Sequence, residues 1–184
     1  MRKYLIIGLF ICTSLISNSQ ESGDFRFGVY TQLNSYRGNE MPMSGVSGEF
    51  FISPSFSLNY KYGLGLNNSG DYTMHFNPSI FGLLYVNSVE LFILSFVIPE
   101  GVSYHVYPRR SIELAPYINP LGSEFNFYES PNVVLSCSFG INIHLKPTEN
   151  LSISPNLGGM VFYRNGELMP SMGVSLNYNI QGFR

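Results

Sequence analysis

Charge is what this chain has least of. Asp, Glu, Lys and Arg together make up 12% of it, about half the ~25% of an ordinary soluble domain. A water-soluble β protein covers its outer face with charge, and this sequence does not hold enough to do so. Cysteine is nearly absent as well. Only Cys137 lies beyond the N-terminal segment that holds Cys12, which excludes an intramolecular disulfide in the mature chain. With Arg2 and Lys3 set aside, eight basic groups face 12 acidic ones, a net charge near −4. No basic stripe exists to neutralise phosphates, so nucleic acid is excluded as a partner. There is no Gly-x-Ser-x-Gly, no phosphate loop and no Gly-x-Gly-x-x-Gly ahead of a helix. No His-x-His or Cys-x-x-Cys spacing suggests a metal, and no cofactor motif occurs. Beyond the N-terminus no segment carries a 3.6-residue apolar stripe with caps, which leaves an all-β chain.

What is present is a two-residue rhythm. From Gly48 to Tyr62 the even positions include Phe50, Ile52, Phe56, Leu58 and Tyr60, and the odd ones Glu49, Ser53, Ser55, Ser57, Asn59 and Lys61. From Val133 to Leu145 every odd position is apolar, with Ser136, Ser138, Gly140, Asn142 and His144 between. Side chains alternate across a strand, so each run has one apolar and one polar face. The polar face is mostly Ser, Asn, Gly and Thr, groups that pack and hydrogen-bond inside a narrow lumen. Lys and Glu, which a wet exterior prefers, are scarce. The rhythm therefore predicts a barrel with its apolar face outward, toward lipid.

The N-terminus reads as a secretion signal. Arg2 and Lys3 precede an apolar core of 13 residues, Tyr4 to Ile16, too short for the ~20 of a spanning helix. Ser17 and Ser19 stand where a peptidase expects small residues, so residues 1–19 are removed and 20–184 form one domain. Eight strands are expected within it: Phe25–Asn34, Gly48–Tyr62, one starting at Tyr72, Val102–Tyr107, Ile112–Leu121, Val133–Leu145, Leu151–Phe162 and Leu168–Ile180. Arg37–Ser44 and Gly122–Asn132 read as loops, and Asn67–Asp71 and Arg164–Glu167 as turns. From Phe81 to Ile98 the alternation is lost, which fits a tight hairpin, a short helix or a plug. Two strands there would raise the count to ten, which parity also allows. Pro54, Pro78, Pro116 and Pro155 would each remove a ladder hydrogen bond and are expected at bulges or the rim.

The last strand carries the one specific motif. Ser171-Met172-Gly173-Val174-Ser175-Leu176-Asn177-Tyr178 resembles the final-strand insertion signal of outer-membrane β-barrels, with Ser171, Gly173, Leu176 and Tyr178 at its defining positions. Asn179 to Arg184 follow Tyr178, whereas bacterial versions end at the aromatic residue. With the alternation and the secretion signal, the chain resembles the small bacterial outer-membrane, porin-like β-barrel proteins. The resemblance implies an antiparallel up-and-down transmembrane barrel in the outer membrane. It also implies outer-membrane lipids and the barrel-assembly machinery as partners.

Polar-face residues are the candidate site. Arg26, Glu49, Lys61, Glu113, His75, His105 and His144 all fall on the predicted luminal side, where charges need partners. Lipid-A deacylases of this barrel class resemble a His-x-Ser pair, but here Asn77, Tyr107 and Lys146 follow the three histidines. No catalytic, metal or cofactor residues are assigned. The expected role is structural or a surface interaction. The alternatives are a small channel, if ten-stranded, and a soluble barrel binding an apolar ligand.

Overall fold

The computed structural model describes residues 21–36, 39–66, 72–76, 99–126 and 132–181. They form β1 (Phe25–Tyr36), β2 (Asn39–Ser53), β3 (Phe56–Leu66), β4 (Tyr72–Phe76), β5 (Gly101–Tyr104), β6 (Val106–Arg109), β7 (Ile112–Asn126), β8 (Asn132–Leu145), β9 (Leu151–Phe162) and β10 (Leu168–Ile180). No helix occurs among the described residues. All pairings are antiparallel, and β1 closes the sheet by pairing with both β2 and β10, Phe25 facing Phe50 on one side and Ile180 on the other. Closure removes both sheet edges, so the wall can face a solvent that forms no hydrogen bonds.

Ten strands fill eight staves. β3 and β7 are bridged at one height by β4 and at another by β5, both running in the same direction. β6 continues β5 past His105 along β7, so one stave is three short strands, and residues 77–98, between β4 and β5, lie outside the described residues. The expected strands at Tyr72 and at Val102 are therefore parts of one stave. The expected strand Gly48–Tyr62 is instead a hairpin, β2 and β3, turning at Pro54 and Ser55. The two corrections offset each other, and the eightfold barrel stands. The turn pairs Ser53 with Phe56 and would swap parity, but the bulge between Phe51 and Ser53 restores it: Phe50 faces Leu58 and Glu49 faces Asn59. Even positions stay outside on both arms, so the alternation passes through the turn without a sign of it.

Two expected loops also contract. Asn39–Ser44 belongs to β2, Gly122–Asn126 to β7 and Asn132 to β8. Polar and Met-rich composition hid these strand ends. The prolines find tolerated places. Pro54 is in the turn. Pro116 lies between the β7 residues that pair with β6 and those that pair with β5. Pro155 sits where the β8–β9 ladder is interrupted, between Ile153 and Asn156. Pro78 and the segment Phe81–Ile98 lie outside the described residues. The β9–β10 turn is as expected: Gly166 takes φ +68°, open to glycine at no steric cost, and its N–H donates to the Phe162 carbonyl at 2.8 Å.

The interior is inverted relative to a soluble protein. Among the described residues 23 polar or charged side chains are buried, against seven apolar or aromatic ones. Val29, Phe50, Leu64, Leu157, Val174 and Leu176 lie exposed on the outer wall. That polar lumen removes the basis of the reading in which the barrel holds an apolar ligand. Gly140 and Gly158 face each other across β8 and β9, and a Cβ on either would come within 2.9 Å of the Tyr117 hydroxyl. The missing side chains make room for a tyrosine ring directed inward.

Candidate functional site

Register brings the charges together at the end of the barrel that carries the chain termini. Arg26 is the second residue of β1, and its Cα partners are Glu49 on β2 and Asn179 on β10. Glu113, second in β7, is registered with His144 on β8. His105 fills the break between β5 and β6, and Lys146 follows the last residue of β8.

Arg26 is the hub. Its Nη1 donates to Glu49 Oε2 at 2.7 Å and to Glu113 Oε1 at 2.9 Å, and its Nη2 donates to Glu113 Oε2 at 2.8 Å. The two bonds to Glu113 form a bidentate fork, the strongest arrangement of this pair. Nε donates to Asn179 Oδ1 at 2.8 Å, and the guanidinium lies 5.1 Å from the centre of the Phe51 ring. Lys146 Nζ adds a second cation, 2.6 Å from Glu113 Oε2. Burial lowers the Lys146 amine below its ordinary range, and the adjacent Glu113 opposes that.

The histidines complete the network. Arg26 Nη1 can only donate, so His144 Nε2, 3.0 Å away, accepts, and His144 Nδ1–H donates to Ser154 Oγ at 2.6 Å. The Glu113 carboxylate can only accept, so His105 Nδ1–H donates to it at 2.7 Å, and His105 Nε2 is hydrogen-bonded to the Ser57 hydroxyl at 2.8 Å. Two cations, Arg26 and Lys146, stand against two carboxylates, Glu49 and Glu113. Buried charges are tolerated on that condition.

Two sharper readings of the cluster fail on its geometry. One ligand atom each from His105, Glu113 and His144 lies within 4.8 Å of the others, as around a metal ion. The Arg26 guanidinium, bonded to both Glu113 and His144, already supplies the cation there. Ser57, His105 and Glu113 stand in the order of a hydrolase triad. Ser57 and Glu113 are fully buried, and Glu113 is shared with Arg26 and Lys146. The polar cavity of the lumen, about 80 Å³, is lined by Arg26, Glu49 and His144 of this network together with Asn59, Lys61 and Tyr117, and Ser57 is not part of its lining. What the arrangement does is cross-link: it ties β1, β2, β7, β8 and β10 across the lumen.

Five of the seven candidate luminal residues, Arg26, Glu49, Glu113, His105 and His144, therefore form one network. Lys61 stands apart, bonded to Gln32 and stacked over Tyr30 at 4.4 Å. His75 lies on β4 beside Glu100, which polar-face reading missed. Lys146, Asn179 and Phe51 were missed as well. Lys146 falls one residue past its strand, and Phe51 breaks the polar rhythm of its face. Of the last-strand motif, Ser171 is buried in the lumen while Leu176 and Tyr178 are exposed outside. A Cβ at Gly173 would fall 2.6 Å from the Thr31 carbonyl oxygen on β1.

No protein-family model and no curated protein matches the sequence. Solved structures do match the fold. The N-terminal β-barrel domain of OprF from Pseudomonas aeruginosa superposes with a TM-score of 0.55 at 14% identity, covering 86% of this chain and 99% of that one. Neisserial surface protein A gives 0.51 at 9% identity, covering 87% and 97%. Ail, the attachment invasion locus protein of Yersinia pestis, gives 0.50 at 7% identity, covering 86% and 99%. Closed antiparallel wall, outward apolar face and polar lumen together are the fold of the eight-stranded outer-membrane β-barrels.

Proposed function

We propose that this protein is a sealed outer-membrane barrel with a structural or surface-interaction role and no catalysis. The observation that carries this reading is the network of paired charges around Arg26, which fills the lumen at one end with bonded side chains. An eight-stranded barrel is only wide enough for side chains to fill. Eight staves rather than ten also weaken the small-channel alternative. On this reading residues 1–19 are cleaved on secretion, and outer-membrane lipids and the assembly machinery are the partners, the latter reading Ser171, Gly173, Leu176 and Tyr178. Both ends of the described chain lie at the Arg26 end, the periplasmic side in this class. A surface interaction would then use the opposite end. Two of the structural neighbours are named for attachment and for the cell surface, which supports such a role.

Planar-bilayer recording on the refolded mature chain tests the seal. The expected result is no steady conductance. A steady single-channel conductance would overturn it.

A further inference from the structure

A second buried charge cluster has the opposite character to the first. Glu113 receives donors from Arg26, His105 and Lys146. Glu100 is equally buried, with no exposed surface, yet neither of its carboxylate oxygens receives a hydrogen bond, and among the described residues no lysine or arginine pairs with it. Its Oε1 lies 3.1 Å from His75 Nε2. A carboxylate in a dry interior needs a compensating charge or donors.

A third buried polar group stands nearby. The Glu100 carbonyl accepts from the Leu121 N–H at 3.1 Å, which places Glu100 beside Gly122. A Cβ on Gly122 would sit 2.9 Å from Ser136 Oγ and 3.4 Å from His75 Cε1, so the glycine lets Ser136 and the His75 ring approach the same stretch of backbone. Ser136 Oγ is buried and has no hydrogen-bond partner among the described residues. A carboxylate, an imidazole and a hydroxyl are therefore buried around Gly122.

We propose that His75 and Glu100 are protein ligands of a zinc-class divalent cation, with Ser136 Oγ and water completing its shell. Imidazole and carboxylate are the donor set such ions take. Two ligands bound at ~2.0–2.1 Å in a tetrahedron stand about 3.3 Å apart, close to the observed 3.1 Å. The placement gives the ion a mechanical role. His75 belongs to β4 and Glu100 immediately precedes β5, on the two sides of the division in that stave. A cation held by both joins the stave across the point where residues 77–98 intervene.

The experiment is a titration of the refolded, metal-free barrel in detergent with zinc, followed by calorimetry, and with cobalt(II), followed by its visible d–d absorption. Expected are one equivalent bound, a cobalt spectrum of low coordination number, and a higher temperature of barrel melting with zinc. His75→Ala and Glu100→Gln should each weaken binding at least about tenfold, since even groups one shell out from a metal contribute 10–100-fold. His144→Ala should leave it unchanged. No stoichiometric binding by the folded wild type overturns the proposal, whatever the variants do. So does binding that survives both substitutions, or that is lost in His144→Ala. Variants are compared only after their unboiled gel mobility shows a closed barrel, and the wild-type titration decides if they do not close.

Discussion

Replacing Arg26 by methionine removes the hub of the luminal network and keeps much of its volume. The variant loses the fork to Glu113, the bond to Glu49, the bond to Asn179 and the donor to His144. Two carboxylates, Glu49 and Glu113, are then left in the network with one cation, Lys146. Removing one partner of a buried ion pair costs about 3–5 kcal/mol, which is roughly 10²- to 10³·⁵-fold in the unfolding equilibrium. The chain has no tryptophan, so unfolding in urea is followed by far-ultraviolet dichroism and by the loss of the compact band on unheated gels. Glu113→Gln alone leaves two cations with one carboxylate and is expected to destabilise similarly. The double variant Arg26→Met with Glu113→Gln leaves one cation with one carboxylate, and its loss should fall short of the summed single losses by about 2 kcal/mol or more. An Arg26→Met barrel within about 1 kcal/mol of wild type, or strict additivity in the double, would refute the cross-link.

Depth in the membrane should govern the outer wall. Val29→Arg, near mid-strand, is expected to cost about 2–4 kcal/mol in lipid, and Leu168→Arg, at the start of β10, about 0–1 kcal/mol; equal effects in vesicle-folding titrations would count against a spanning wall. Gly158→Ala places a Cβ 2.3 Å from the Phe139 carbonyl oxygen and 2.8 Å from the Tyr117 hydroxyl. It should destabilise by about 1–3 kcal/mol, relieved in part by Tyr117→Phe, which urea midpoints would reveal. A fluorophosphonate probe should leave Ser57 unlabelled in the folded barrel, because the hydroxyl is buried and bonded to His105. Labelling detected by peptide mass spectrometry would revive the triad.

Alternation made most of the wall legible: β9 and β10 match their expected bounds, and β1, β7 and β8 match at one end. The β2–β3 turn was invisible for a geometric reason, since the bulge between Phe51 and Ser53 offsets the two-residue turn and keeps even positions outside on both arms. The divided stave was invisible because strand order is a long-range property: Tyr72–Phe76 and Gly101–Tyr104 each read as an ordinary strand. At the candidate site the sequence marks Arg26, Glu49, Glu113, His105 and His144 as luminal. It does not say that Arg26 meets Glu113, 87 residues away, because that depends on register around the closed sheet. Glu100 follows Pro99 at the end of a run without alternation and offers no periodic signal at all.

The central claim is a closed barrel with lipid outside and bonded charge inside. Gel mobility of the refolded mature chain in SDS, unheated against boiled, tests it most directly, because a wall with every backbone group bonded resists the detergent until heated. The account predicts a compact band that shifts on boiling. A single band that does not shift, from a chain that stays monodisperse in plain buffer, would contradict it.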